Sequence, residues 1–267
     1  MKSTRSASED DSKTGSVQSI GKAVELLDAL DKASDGMHLA ALAREVGLNR
    51  STAYRILSTL EADRIVMRDQ HLRYRLGFRL FELGSVAKDH HIGFHETAAA
   101  SMRRFAERLG LTAFLAVRVD DRALFVEQAV YGDPHYVAFP AGTSLPLNVG
   151  AVSHVLLAWA DPDLVEQVLS RPLPHVSPMS ITDPKRLRLE LAEVRRNDIA
   201  VIDGDVTVGL AAIGAPVRNR AGDVVAAVSL SGLSTRLLGS ERACITAAVQ
   251  ELAAEVSAGI AAVAPGR

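Results

Sequence analysis

The 267-residue sequence contains a single cysteine, Cys244. One thiol cannot close an internal disulfide, build a Cys-ligated structural zinc site or hold an iron–sulfur cluster, so redox and thiolate–metal roles are excluded within one chain. No uninterrupted apolar run approaches the roughly 18–20 residues needed to span a bilayer. Lys2 and Arg5 lead into Ser, Glu and Asp rather than into the apolar stretch of a secretory signal. The expectation is a cytoplasmic protein with no membrane partner. A Gly-x-Ser-x-Gly elbow, a Walker phosphate loop and a Gly-x-Gly-x-x-Gly dinucleotide fingerprint are all missing, which leaves no catalytic residues and no cofactor to expect.

What is present is an ordinary globular composition, 48% apolar and 23% charged, with length enough for two domains. The net charge of −2 hides an asymmetry. Residues 44–79 carry eight arginines against four acids, whereas residues 80–267 carry 17 basic against 21 acidic side chains. A basic patch on an acidic body attracts phosphate locally, because charges beyond a Debye length of the contact are screened.

Residues 1–15 are polar and charged, cannot repay the entropy of ordering, and read as a disordered tail. From Ser16, a candidate N-cap, Val17, Ile20, Val24, Leu27 and Leu30 read as one apolar face of a first helix. Short helices over 39–46 and 50–62 flank Gly47. Two short strands, 65–67 and 72–76, follow, with Asp69-Gln70-His71 as the tip of a wing and Arg73 and Arg75 opposite the apolar positions. Residues 79–92 are helix-compatible and lead into a helix over 96–109. Beyond Gly110, strands at 113–119 and 124–130 form a hairpin about Asp120-Asp121-Arg122. Helices over 151–159, 163–170 and 183–197 precede strands at 211–218 and 224–230, and a last helix covers 240–263. These divisions give a tail (1–15), a winged helix-turn-helix (16–78), a linker helix (79–94) and a larger second domain (95–267). The fold class is an N-terminal all-α winged helix-turn-helix plus a C-terminal α+β domain with a largely antiparallel sheet.

The sharpest feature lies between Leu39 and Leu57. Small Ala43 lets two helices approach, Gly47 permits a turn with positive φ, and Leu42, Val46, Leu48, Ile56 and Leu57 can share a core. The other face, Asn49, Arg50, Ser51, Thr52, Tyr54 and Arg55, is cationic and hydrogen-bonding, as an element entering a major groove needs to be. Together with Arg73 on the wing, these are the candidate contacts to double-stranded operator DNA.

The stretch Gly47-Leu48-Asn49-Arg50-Ser51-Thr52-Ala53-Tyr54-Arg55 resembles the IclR family of bacterial transcription regulators. So do Tyr74-Arg75-Leu76-Gly77 with Leu83-Gly84, Leu145-Pro146-Leu147 leading to Val155-Leu156-Leu157-Ala158, and residues 200–209 followed by Ala215-Pro216-Val217 and Ser229-Leu230-Ser231-Gly232. The resemblance implies a GAF-like effector-binding second domain, dimers formed through the DNA-binding half and often tetramers, and control, more often repression, by a small organic effector. It also implies an effector pocket at Leu145, Leu147, Ala151, Val152, Ile202, Asp203, Leu210, Ala212, Ser229 and Ser231, with the backbone N–H groups of Ala151 and Val152 holding an oxygen at a helix N-terminus. Ile202 stands where some members have Asp, and Ala212 where some have Cys. Such a pocket favours an aromatic or partly apolar acid, amide or related carbonyl compound over a small polar acid. Arg64 replaces the glycine that usually closes the recognition helix, adding roughly 1 kcal/mol of strain if the position is left-handed.

Several features carry rival readings. His91 and His95, one helical turn apart near His90 and Glu96, have zinc-like spacing, but a solvated linker explains them more simply, and no metal is expected. Ser153 and His154 are adjacent, so on a helix they diverge and cannot easily form a nucleophile–base pair. A basic residue near His154 is usual in the family, so a cationic role there would depend on pH. Asp203 and Asp205 either pair with a ligand donor such as an amide or hydrazide nitrogen, or cap the Gly204 turn. Gly204, Gly209 and Gly214 are spaced for turns and a sheet edge, and Trp159 and Cys244 for core or interface. The alternative function is a GAF-like small-molecule-binding or hydrolytic protein that uses its helix-turn-helix only to oligomerise.

Overall fold

The computed structural model describes residues 17–91, 95–131 and 139–262. The tail, the Ser16 cap, Gly93 and the last residue of the closing helix fall outside these, as do the side chains of His90, His91, His95 and Glu96. Contacts divide the chain into two compact units, with the break between His90 and His91.

In the first unit, α1 (Gln18–Asp31) is followed by β1 (Met37–His38), α2 (Leu39–Glu45), α3 (Arg50–Ala62), β2 (Val66–Arg68), β3 (Arg73–Leu76) and α4 (Phe78–His91). The three strands form an antiparallel sheet in the order β1-β3-β2, so this unit is not all-α. Two-residue β1 is too short to leave an alternating pattern. The core gathers Leu26, Leu30, Leu42, Leu57, Val66 and Tyr74, with Val46, Leu48 and Ile56 packed at its margin. The apolar face expected along α1 is only half right: Leu27 and Leu30 reach this core, while Val17, Ile20 and Val24 are more than half exposed. Their spacing averages less than 3.6 residues, so the stripe winds around the helix, and Leu26 and Ala29 supply the packing face instead.

The second unit runs α5 (His95–Leu109), β4 (Thr112–Val119), β5 (Arg122–Ala129), β6 (Ser144–Pro146), α6 (Ala151–Ala158), α7 (Pro162–Leu169), α8 (Pro184–Asn197), β7 (Ala200–Asp203), β8 (Leu210–Arg218), β9 (Val224–Leu233), α9 (Ser234–Leu237) and α10 (Arg242–Ala262). The six strands pair antiparallel throughout in the order β6-β5-β4-β9-β8-β7. Strand alternation divides the side chains between two cores. Ala113, Leu115, Ile213, Val228 and Leu230 face one core with α5 and α10, whereas Phe114, Ala116 and Ala227 face the other with α6, α7 and α8. The result is α+β and GAF-like. Helix α10 is long and apolar enough by composition to cross a membrane. Its Ile245, Val249, Leu252 and Val256 are instead fully buried in the first of these cores, and Glu251 and Glu255 pair with Arg108 and Arg104 of α5.

A register shift sets one feature of the second core. Leu115 pairs with Glu127 but Ala116 pairs with Phe125, so Val126 is an extra residue on β5. Such a bulge moves every following side chain to the other face of the sheet. It brings Phe125 to the same side as Phe114.

Candidate functional site

In the first unit, Asn49 caps α3: its Oδ1 accepts the Thr52 backbone N–H at 2.8 Å and the Ser51 hydroxyl at 2.9 Å. This interaction satisfies an otherwise unpaired first-turn donor. Asn49 and Ser51 therefore spend polar groups on holding the helix, which leaves Arg50, Tyr54 and Arg55 exposed along one face. Ala53 and Leu57, on the opposite face, are fully buried. Thr52 is half-buried beside them. On the wing, Asp69 accepts the backbone N–H groups of His71 and Arg73 and the Nε groups of Arg73 and Arg75, at 2.8–3.4 Å. The Arg73 backbone bond foremost holds the Asp69 carboxyl down at about 2. Arg73 is thus half-buried and anchored rather than free-standing, and Leu72, expected on the apolar side, is exposed at the tip.

In the second unit, a narrow pocket, half open to solvent, lies over the sheet at the start of α6. Its apolar wall is a cluster of three phenylalanines. Phe114 meets Phe125 edge-on with centroids 5.4 Å apart, and Phe139 stacks on Phe125 at 5.3 Å. The floor comes from β8 and β9, where registered pairs place Ala212 beside Ser231 and Gly214 beside Ser229. A side chain at Gly214 would meet Ala151 at 3.0–3.1 Å, so the glycine lets α6 start directly on the sheet.

The polar end is Asp205. Its Oδ2 accepts the Gly150 N–H at 2.7 Å, its own carbonyl accepts the Ser180 hydroxyl at 2.7 Å, and Ser177 Oγ donates to the carbonyl of neighbouring Gly204 at 2.5 Å. Burial pushes the Asp205 carboxyl up to about 6, against the lowering pull of backbone N–H groups led by that of Gly150. Among the described residues it is the one ionisable group lining the cavity.

Of the expected effector residues, the structure brings Leu145, Ala151, Val152, Leu210, Ala212, Ser229 and Ser231 together around this cavity. Leu147, Ile202 and Asp203 do not line it. Leu147 and Ile202 are buried in the core beneath α6 and α8, and Asp203 lies outside, accepting the Ser234 hydroxyl at 2.6 Å. The turn at Gly204 swings Asp205, rather than Asp203, inward. Phe114, Phe125, Phe139 and Thr207 line it without having been singled out by the sequence, and Asp205 is the one of the two candidate aspartates that reaches it. The signal for Asp205 existed in the choice between two aspartates, whereas the bulge that turns Phe125 leaves no mark in composition.

Other expectations resolve plainly. Ser153 and His154 are fully buried, and His154 Nε2 lies 2.9 Å from the Asn148 carbonyl oxygen. Burial pushes the His154 pKa down, so the ring is neutral at pH 7 and supplies no cation. Gly214 lies within β8 rather than at a sheet edge, because β8 has β7 and β9 on either side. Cys244 is exposed, and Trp159 is partly exposed under the Arg218 guanidinium, 4.3 Å from its ring centroid. Arg64 does adopt left-handed φ, +58°. The Arg64 N–H reaches the Glu61 carbonyl and the Ile65 N–H that of Leu60, the paired bonds of a Schellman helix end.

Residues 19–70 match the IclR helix-turn-helix domain, and residues 86–258 match the C-terminal domain of the bacterial transcriptional regulator IclR. The chain is 31% identical to the HTH-type transcriptional regulator BhcR of Paracoccus denitrificans, over 93% of this chain and 89% of that one. It is 28% identical to the HTH-type transcriptional repressor AllR of Escherichia coli, over 82% of each chain. Among solved structures, an IclR homolog from Microbacterium hydrocarbonoxydans, complexed with 4-hydroxybenzoate, superposes with a TM-score of 0.80 at 27% identity, covering 91% of this chain and 98% of that one. Sequence along both units and the shape of the fold agree, and the chain belongs to the IclR family of bacterial transcriptional regulators.

Proposed function

We propose that the chain is an effector-controlled repressor that binds a roughly palindromic operator as a dimer. Arg50, Tyr54 and Arg55 of α3 enter or border the major groove, with Thr52 beside them, while Asn49 and Ser51 fix the helix start and the Asp69-braced wing carries Arg73 to the flanking backbone. Dimerisation through the first unit is supported by its uncovered apolar side chains: Phe78 and Phe81 are 76% and 75% exposed, and Val17, Ile20 and Val24 lie open on α1. Isolated exposed apolar residues are ordinary, but Ile20 with Val24 on α1 and Phe78 with Phe81 on α4 recur at helical spacing, which gives each helix an open apolar face.

The observation that carries the effector reading is the cavity itself, with its phenylalanine wall and a few polar groups led by Asp205. Its lining suits an aromatic or other partly apolar acid, amide or related carbonyl compound. The 4-hydroxybenzoate bound by the Microbacterium relative belongs to that class. An effector switches the protein only if it binds one arrangement of the DNA-binding pair better than the other.

Fluorescence anisotropy tests the proposal, using DNA from upstream of the protein's own gene and scrambled DNA of equal length at two salt concentrations. Specific binding with a steep salt dependence, released by aromatic acids or amides, is the expected result. Equal, weak binding to both DNAs, repeated with candidate effectors present and in genome-wide selection, would overturn it.

A further inference from the structure

The effector reading leaves open which polar group the ligand presents, and the cavity's own donors and acceptors decide it. Asp205 is 5% exposed, and its Oδ2 lies 2.7 Å from the Gly150 nitrogen at the very start of α6. The first hydrogen bond of that helix runs from His154 N to Gly150 O, so the N–H groups of Ala151 and Val152 have no acceptor within it. An ionised acceptor therefore stands directly beside a short row of free donors. Ser229 and Ser231, 3% and 7% exposed, line the same cavity with hydroxyls that have no partner among the described residues. These unspent polar groups, facing the cavity, offer a polar ligand end its hydrogen-bond partners.

We propose that Asp205 makes this cavity selective for an effector carrying an N–H donor beside a carbonyl, a primary carboxamide or hydrazide on an aromatic body, over the corresponding carboxylate. The carbonyl oxygen of such a ligand accepts from the α6 amides while its nitrogen donates to Asp205. A carboxylate has acceptors only. One of its oxygens suits the α6 amides, but the other is pressed against a second carboxylate, and no Arg, Lys or His lines the described cavity to offset the repulsion. The serine hydroxyls can donate or accept and serve either ligand, so discrimination falls to Asp205. Burial raises its pKa only to about 6, which leaves it ionised at pH 7.5.

The inference rests on the effector reading of this cavity, and its test separates the two. Isothermal titration of the full chain at pH 7.5 compares 4-hydroxybenzamide, 4-hydroxybenzhydrazide and 4-hydroxybenzoate. The amide and hydrazide are expected to bind at least tenfold more tightly than the acid. Asp205→Asn, whose Oδ1 can still accept from Gly150 while its NH2 donates, is expected to erase or reverse that ratio. Equal or tighter binding of the acid by the unaltered chain, which needs no variant to measure, overturns the inference. So does an unchanged ratio in a folded Asp205→Asn, or no binding of any of the three. Ala212→Leu fills the cavity from β8. Loss of all binding there, with the acid preferred in the unaltered chain, sinks this inference and leaves the effector cavity standing, whereas undiminished binding in a folded Ala212→Leu removes the effector reading itself.

Discussion

A Cβ placed on Gly77 would stand 2.1 Å from the carbonyl oxygen of Arg64. The two residues close the wing onto the end of α3: Gly77 N–H donates to the Ile65 carbonyl at 2.8 Å, and the Arg79 N–H reaches back to the Arg64 carbonyl at 3.3 Å. Both neighbours are backbone, so neither can swing aside. Gly77→Ala is expected to cost about 1–3 kcal/mol by overpacking and to weaken operator binding, because the wing can no longer seat beside the recognition helix. Urea unfolding and anisotropy on the same preparation read both effects. Unchanged stability would contradict the contact.

Arg64 itself pays for a left-handed backbone that glycine adopts freely. The strain of about 1–2 kcal/mol in a non-glycine residue is partly returned by the more ordered unfolded chain that arginine has relative to glycine. Arg64→Gly is therefore expected to raise stability by about 0.5–1 kcal/mol with the Schellman bonds intact. A lower urea midpoint would show that the guanidinium makes a contact worth more than the strain.

The helix-turn-helix was legible residue by residue because its signals are local. Asn49 as cap and the alternation of exposed Arg50, Tyr54 and Arg55 with buried Ala53 and Leu57 all lie within a few residues of each other. In the second unit, the pair Ser229 and Ser231 and the helix start at Ala151 were readable through family resemblance, and the structure places them around one cavity. What escaped depends on distant partners. Phe125 faces the cavity only because of the extra residue at Val126, and Ile202 leaves it because β7, a four-residue edge strand, packs that side chain under the helices. The exposed half of α1 escaped for a related reason, since an apolar stripe does not reveal whether its own chain covers it.

The exposed cationic face of α3 makes a separable prediction. Arg50→Ala with Arg55→Ala is expected to lower operator affinity and, if both side chains meet phosphate, to reduce the salt dependence of binding by roughly two in log–log slope. Effector binding should not change, because neither residue lies in the second unit. Anisotropy over a salt series and calorimetry with the effector distinguish this from general unfolding, in which both would fall. A DNA affinity unaffected by the double substitution would place the groove contacts elsewhere.

Asp205 ties effector chemistry to stability. Its carboxyl is raised from 3.8 to about 6 on folding, chiefly by burial, so the folded chain holds the proton more tightly than the unfolded one. A raised pKa gives stability that is complete below pH 3.8 and lost as the pH rises through about 6. At neutral pH the buried charge costs on the order of 3 kcal/mol. Asp205→Asn keeps an acceptor for Gly150 and removes the charge. It is expected to stabilise the second unit by about 1–3 kcal/mol at pH 7.5, with the gain shrinking towards pH 4.5. Urea titrations at the two pH values check the sign, and a variant less stable than the parent at pH 7.5 would show the carboxylate to be better satisfied than its burial implies.

Gly214 offers a way to move the donors of the cavity without touching any polar group. It pairs with Ser229 across β8 and β9, and a methyl there would press on the Ala151 carbonyl carbon at 3.0 Å and on the Ala151 oxygen and Cβ at 3.1 Å. Because the contacts are largely with the first-turn backbone, relief requires α6 to lift by a few tenths of an ångström. That displacement carries the Ala151 and Val152 N–H groups away from the sheet that bears the serines, and hydrogen bonds are steep enough in distance for the effector to feel it. Gly214→Ala is thus expected to lose about 1–3 kcal/mol of stability and roughly tenfold in effector affinity, about 1.4 kcal/mol. Operator affinity without effector should be preserved, since α3 and the wing fold in the other unit. A folded Gly214→Ala with full effector affinity would mean that the α6 amides do not hold the ligand, and recognition would then fall to Asp205 and the serines alone.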